Sequence, residues 1–421
     1  WYWNHYFFNC AVKAGVNCPG LFANWSFRNI GTAWHGDYHM NYNTQQPFWL
    51  PFSSNRVEKN LPYVELVERL LPLSRKWAKE YYGLRGAYFP HSAYPVEMTT
   101  LPYPVPTWGW EICETPWAVQ GLWWHYLYTM DKDFLRNRAF EPIRDAVHFL
   151  VDYMKRRDAH GKKWGDDRYH VFPTVPPELY GLKPGFKYNS DCLVDLTLIK
   201  FAMKAYVEAA RVLAVEKREA DLLESVRDIL AHFPDYPTAE SRYGKVFVSV
   251  PGEHADVVYN VPNSLMTVFP GEEHGLDSPK EVREILHNTF RNNQNEGGNE
   301  LVFFNLQAAR LGMLDLDKFR RHPPDALLLL AVDALVQFKR VVHRARREPY
   351  AAVAAHGRPG ALHLGEQPPR GRLGDVEHLH GVVRRDLPHG FEHVQQIALP
   401  KALLDQGNLF PSHSFIWGSP D

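Results

Sequence analysis

The sequence has few cysteines, no excess of charge of either sign and no long apolar run. Its four cysteines among 421 residues form neither a CxxC pair nor a zinc-ligand spacing, so a disulfide framework is excluded, although a Cys10–Cys18 bridge stays open for an exported protein. With a formal net charge of −1, the chain lacks the excess of positive charge that nucleic-acid binding would require. The longest apolar stretch, Ala326 to Val336, is too short to span a membrane and is interrupted by Asp333.

Aromatic residues are abundant and concentrated in one part of the chain. They make up 14% of the sequence, and twelve of the thirteen tryptophans precede residue 165. The segment Trp34 to Trp49 places aromatic rings among histidine, aspartate, asparagine and glutamine side chains. An aromatic face can stack on the C–H side of a sugar ring, while these polar groups bond its hydroxyl groups. The segment therefore indicates a carbohydrate-active protein.

Helical periodicity dominates the first three quarters of the chain, whereas the strand signals, 245–250 and 257–259, are short. The clearest case begins at Phe140, where the apolar residues Ile143, Val147, Leu150 and Met154 recur every three or four positions and predict one buried stripe. Asp145 is among the residues predicted on the opposite face. Periodic segments cover residues 64–82, 112–128, 140–154, 191–215, 221–232, 279–291 and 300–311. The predicted class is mainly α: either a closed toroid of helix pairs or an open stack, and the lack of a fixed-period repeat favours closure.

The composition changes near residue 320. Residues 321–421 contain one tyrosine and two lysines but ten arginines and nine of the 21 histidines. We hypothesise that this tail is either the product of a shifted reading frame or a divergent, poorly ordered segment. Residues 1–320 are predicted to form the catalytic domain. Because the chain starts at Trp1, we expect this domain to be truncated at its N-terminus.

Four motifs in order resemble glycoside hydrolase family 95, the inverting α-L-fucosidases and their relatives. They are Asn41-Tyr-Asn-Thr with the trailing Phe48-Trp49, the helix Trp117 to Leu135, the loop Pro173-Thr-Val-Pro-Pro-Glu178, and Asp195-Leu-Thr-Leu-Ile-Lys200. The resemblance covers about residues 30 to 320. It implies an (α/α)6-type, six-hairpin-like toroid, incomplete in this chain and with short strands in its loops, and a secreted or periplasmic location.

The resemblance also implies catalytic roles. An inverting glycosidase needs a protonated carboxyl group at the leaving oxygen and a second group that activates water on the opposite face. Glu178, on a loop stiffened by two prolines, is the candidate acid. Asn41 and Asn43, in an expected extended segment, are the candidates that hold the water. The late Asp-Gly-Asn-Phe-Gly segment that carries the family's aspartate base is not recognisable, so this chain is expected to be either an incomplete or an inactive enzyme.

The remaining candidate residues are sugar contacts. They are Trp34, Asp37, His39, Trp108, Trp110, Glu111 and His274. Glu111 and Glu114 also open a predicted helix, where carboxylates suit the helix dipole without any catalytic role. A metal site is a rival interpretation, because His35, Asp37 and His39 occupy alternating positions in the sequence. We favour sugar binding, which requires only hydrogen bonds from these side chains. No metal or organic cofactor is predicted.

The predicted activity is exo-acting removal of a terminal sugar, an α-L-fucoside or α-L-galactoside, from an oligo- or polysaccharide. Two alternatives stay open. The chain could be a catalytically dead carbohydrate-binding relative, because the aspartate segment is missing. It could also be a polysaccharide lyase on a similar toroid, although few basic residues accompany the aromatic loops. The sequence leaves the oligomeric state open.

Overall fold

The computed structural model describes residues 2–13, 15–21, 37–94, 109–182, 184–295 and 300–313. All of them belong to the larger of two compact units, Trp1–Ala352; the other unit is Val353–Asp421. The tail hypothesised for residues 321–421 and the predicted contacts Trp34 and Trp108 lie outside the described residues.

The described part of the chain is mainly helical, which confirms the predicted class. Every segment with helical periodicity contains a helix, and no helix in these residues is both long and apolar enough to cross a bilayer. The helices are α1 (Tyr2–Ala11), α2 (Leu50–Ser53), α3 (Leu61–Trp77), α4 (Glu114–Thr129), α5 (Lys132–Phe134), α6 (Phe140–Met154), α7 (Leu193–Leu213), α8 (Ala220–Ala231), α9 (Lys280–Asn292) and α10 (Glu300–Leu311).

The strands are short, as the sequence predicted, and the structure shows that they occur in pairs. Two pairs are antiparallel and one is parallel. They are β1 (Tyr38–His39) with β2 (Ser92–Ala93), β3 (Thr238–Ser241) with β4 (Gly244–Phe247), and β5 (Val258–Tyr259) with β6 (Gln294–Asn295). The first pair matters for the site, because it brings residues near position 40 beside residues near position 91.

Helices α4, α6 and α7 pack against one another and form the centre of the core. On α6 the predicted apolar stripe is confirmed: its members, Ile143, Val147, Leu150 and Met154, are completely buried. Asp145 was predicted on the solvent face but is only 6% exposed. It is buried because Arg75 donates to it at 2.6 Å and Arg144 at 3.0 Å, so the charge is compensated.

Gly86 allows a close approach between its loop and α6. Its φ is +82°, and a Cβ atom there would lie 2.3 Å from the carbonyl oxygen of Asp145 and 2.4 Å from the backbone nitrogen of Phe149. Gly161 shares the conformation, with φ of +88°, but a Cβ there would meet nothing within 4 Å. A comparison of alanine substitutions at the two glycines therefore distinguishes the cost of steric overlap from the cost of backbone strain.

We expect Gly86→Ala to lower the free energy of unfolding by about 3 kcal/mol or more, because the left-handed backbone and the overlap with α6 add. Gly161→Ala, the matched control, should lower it by about 1 to 2 kcal/mol from backbone strain alone. Urea denaturation of both variants measures the difference. Equal losses would show that the loop moves away from α6 without resistance.

Candidate functional site

Asn41 and Glu178 meet although 137 residues separate them in sequence. The Asn41 side chain donates from Nδ2 to Oε1 of Glu178 at 3.1 Å. Asn41 is completely buried and Glu178 is half-buried. The expected extended segment is not present, because the strand ends at His39 and residues 40–45 form turns.

The turn carries two buried acceptors, one of them on Asn41, which contacts Glu178. Oδ1 of Asn41 and Oδ1 of Asn43 are both buried, and neither has a hydrogen-bond partner among the described residues. A buried carbonyl-type oxygen without a partner is unfavourable unless a water or ligand satisfies it. Each of these oxygens is therefore a candidate acceptor for a water molecule.

The loop that carries Glu178 is fixed from several sides. The buried side chain of Asn263 donates to the carbonyl oxygen of Pro177 at 2.6 Å, and the backbone N–H of Val175 donates to the carbonyl oxygen of Trp110 at 2.8 Å. Asn189 donates to the carbonyl oxygens of Thr174 and Tyr180 at 3.2 and 2.7 Å. The bonds from Asn263 and to Trp110 tie this loop to distant parts of the chain, and Asn189 ties it locally.

Three further carboxyl groups lie beside this pair, and all are completely buried: Glu111, Glu114 and Asp195. They stand at the start of α4 and α7. Burial raises the pKa of Glu111 to about 8, and the charges of Glu178 and Asp195 add to this, while Glu114 and the Asn41 amide act in the opposite direction. Burial also raises the pKa of Asp195 to about 7, against the hydrogen bond that Thr174 donates to it at 2.6 Å.

Two histidines connect the site to the strand pair. His39 bonds Asp37 through Nδ1, and its ring lies 4.6 Å from that of His91. Nε2 of His91 is 3.9 Å from Oε2 of Glu111. Burial, followed by the neighbouring His39, lowers the pKa of His91 to about 3, so this imidazole is neutral at physiological pH. The carboxyl groups therefore gain no counter-charge from His91.

The predicted site residues are thus partly brought together. Asn41, Glu178 and Glu111 lie in one cluster, and His39 and Asp37 reach it through His91. Asn43 lies on the same turn as Asn41. Trp110 is half-buried next to Glu111, and its ring packs edge-on against Tyr82 at 5.4 Å.

His274 has different surroundings. Its ring stacks on that of Phe247 at 6.0 Å and meets the edge of Tyr236 at 5.9 Å. Burial lowers the pKa of His274. None of these contacts belongs to the carboxyl cluster.

Three residues of the cluster were not selected from the sequence. Glu114 was assigned to the helix dipole, Asp195 appeared only within a motif, and His91 was not considered. The spacing of Glu111 and Glu114, three residues apart at a helix start, is a signal that could have linked them. His91 carries no comparable local signal, because its place depends on the pairing of β1 with β2.

A half-buried carboxyl group in contact with a buried amide and beside further carboxyl groups, in a helical domain, is an arrangement suited to a glycoside hydrolase. The sequence matches the glycosyl hydrolase family 95 catalytic domain over residues 2–311, and the chain belongs to this family. The suspected resemblance is therefore confirmed.

Two curated relatives agree with this assignment. "Alpha-L-fucosidase 2" of Arabidopsis thaliana is 25% identical over 302 residues, which are 70% of this chain and 34% of the relative. "Probable alpha-fucosidase A" of Aspergillus niger is 24% identical over 177 residues, 42% of this chain and 22% of the relative. The chain thus spans about a third or less of the length of these relatives.

Proposed function

We propose that this chain carries the acid and water-binding parts of an inverting exo-glycosidase. Glu178 protonates the glycosidic oxygen, and Asn41 and Asn43 hold the attacking water. The observation that carries the proposal is the 3.1 Å contact between Asn41 and Glu178, together with the unpartnered amide oxygen of Asn41 and that of Asn43 on the same turn. In one place the site offers a carboxyl group for the leaving oxygen and acceptors for a water molecule.

The substrate is proposed to be a terminal α-L-fucoside, with α-L-galactoside as the second choice, because both relatives are named as fucosidases. Asp37, His39, Trp110 and Glu111 are the proposed sugar contacts near Glu178. Trp34 and Trp108 lie outside the described residues and stay predictions. His274 also stays a prediction, because its described ring contacts are with Phe247 and Tyr236. We also propose that the helices close into an (α/α)6-type toroid over residues 1–320.

The aspartate base is expected beyond residue 320, where the sequence of this chain is atypical. The proposal is tested by assaying the 421-residue chain, and the chain with its reading frame restored after residue 320, against aryl α- and β-glycosides. We expect release of the aryl group from the α-L-fucoside by the restored chain, with inversion at the anomeric carbon. Binding of the sugar without turnover by both chains would instead favour the catalytically dead relative, and an unsaturated product would favour the lyase.

A further inference from the structure

A cleft of about 820 Å³ lies where the end of α3, the loop at residues 83–86, α6 and the residues just before α8 meet. Its volume is within the range of about 300 to 1,000 Å³ that small-molecule sites occupy. None of its lining residues belongs to the carboxyl cluster around Glu178, and none is a predicted sugar contact. The proposed catalytic function therefore does not account for this cleft.

Cations outnumber carboxylates in the lining of the cleft. Its carboxylates are Asp145, Asp152 and Glu219, and its cations are Arg75, Lys79, Arg85, Arg144 and Arg218. Glu141 pairs with Arg75 from outside the lining, and the cations remain in excess when it is included. Burial and the neighbouring Arg85 lower the pKa of His148, so its imidazole adds no charge at neutral pH. The cleft therefore favours an anionic ligand.

The cations of the cleft are far more exposed than its carboxylates. The side chains of Arg85 and Arg218 are 71% and 61% exposed, whereas those of their partners Asp152 and Glu219 are 17% and 7% exposed. Lys79 is also exposed, and it has no carboxylate partner among the described residues. A molecule that enters the cleft therefore meets the positive groups first.

The carboxylates hold the guanidinium groups in place without using all of their donors. Arg85 donates from Nε and Nη2 to Asp152 at 2.9 and 2.7 Å, and Arg218 donates from Nε to Glu219 at 2.8 Å. The Nη1 group of Arg85 and both terminal nitrogens of Arg218 make no hydrogen bond within the described part of the chain. A guanidinium group has five N–H donors, and pairs of them match the oxygens of a carboxylate or sulfate.

The uncharged chemistry of the lining narrows the class of ligand. No phenylalanine, tyrosine or tryptophan lines the cleft, so a nucleotide base would find no ring of this kind to stack on. Asp152 is partly exposed between the cations, and its oxygens can accept hydrogen bonds from hydroxyl groups. Cations beside such an acceptor suit a molecule that carries both anionic and hydroxyl groups, which is the chemistry of an acidic sugar.

We propose that this cleft is a second carbohydrate site, which binds an acidic oligosaccharide: Lys79 and the exposed arginines pair with carboxylate or sulfate groups on the sugar rings, and Asp152 accepts hydrogen bonds from their hydroxyl groups. That the ligand is a carbohydrate rests on the proposed function. Its anionic character rests on the charges and exposure of the cleft residues alone.

The test is calorimetric titration of three trisaccharides into the 421-residue chain at pH 7: a galacturonic acid trimer, a sulfated galactose trimer and the neutral galactose trimer. We expect an acidic trimer to bind and the neutral trimer not to bind. Which acidic trimer binds identifies the anionic group. Raising the salt from about 20 mM to about 500 mM should weaken the binding, because salt screens exposed charges.

Variants of the cleft locate the binding. Lys79→Gln and Arg218→Gln should each weaken binding of the acidic trimer by about 2- to 5-fold, because each removes one exposed cation. The double variant should lose about 10-fold, since effects at separate positions add in free energy. Lys79→Gln leaves no carboxylate without a described partner, so its effect is not confused with a loss of folding.

Lys132→Gln and Arg136→Gln are the matched controls, because they lower the net charge equally outside the cleft. Lys132 is exposed, and Arg136 is 53% exposed and donates to Asp133 at 2.8 Å, much as Arg218 donates to Glu219. Neither control should change the affinity. Equal losses in the controls and the cleft variants would report net charge only and would overturn the assignment.

Three further outcomes would overturn the proposal: no binding of either acidic trimer, equal binding of the neutral trimer, or inorganic phosphate that binds as tightly as the acidic trimers. This readout requires no hydrolysis, so it fails separately from the proposed function. Binding that depends on Lys79, in a chain that cleaves no aryl glycoside, would support the cleft and count against the catalytic proposal. Cleavage of the aryl α-L-fucoside without binding of an acidic trimer would do the reverse.

Discussion

Glu178→Gln should abolish most of the hydrolysis of a natural fucoside yet spare an activated aryl fucoside. A natural leaving group needs a proton as the bond breaks, and removal of a general acid lowers such rates by about 10²- to 10⁴-fold. A nitrophenolate leaving group departs without protonation. The measurement compares kcat/KM for the two substrates in whichever chain releases the aryl group from the α-L-fucoside. The side-chain oxygen of the introduced amide can still accept the hydrogen bond that Asn41 donates at 3.1 Å to Glu178.

The control is Glu224→Gln, on the exposed face of α8, which should change neither rate. Equal losses on both substrates in Glu178→Gln would count against the acid role and would point to damage to the loop. That loop is held independently through Asn263 and Trp110, so an isosteric change at position 178 should leave its course intact.

Asn41→Ala should give the opposite pattern, a loss of about 10²-fold on natural and aryl substrates alike, because both reactions need a correctly placed water molecule. The variant removes one of the two unpartnered amide oxygens and also the donor to Glu178. Asn43→Ala removes the other oxygen and no described contact with Glu178, so its loss should be similar in pattern and smaller.

Asn137→Ala, at an exposed position between α5 and α6, is the matched control for an amide deletion. If Asn41→Ala spares the aryl substrate as Glu178→Gln does, Asn41 serves only to orient the acid and the water-binding role is wrong. Circular dichroism of Asn41→Ala checks that the helical fold is retained.

The sequence was sufficient for the seven periodic helical segments because their signal is local, although it did not predict α1. On α6 the three- and four-residue recurrence from Ile143 to Met154 predicted the buried face correctly. The same pattern was wrong about Asp145, which is buried because Arg75, from another helix, supplies the compensating charge. A residue whose partner is 70 positions away cannot be assigned from its own helix.

The candidate site likewise depends partly on local sequence patterns and partly on contacts between distant residues. The order of the motifs identified the family and selected Asn41 and Glu178, but their contact depends on how the Glu178 loop is tied to Asn263 and Trp110. Sequence alone determined which residue types are present and which segments are helical, since both follow from local patterns. Only the tertiary structure decided that Glu111, Glu114 and Asp195 are completely buried side by side. The sequence does not reveal whether water or protein surrounds an acidic residue near the start of a helix. These surroundings decide whether its carboxyl group is charged.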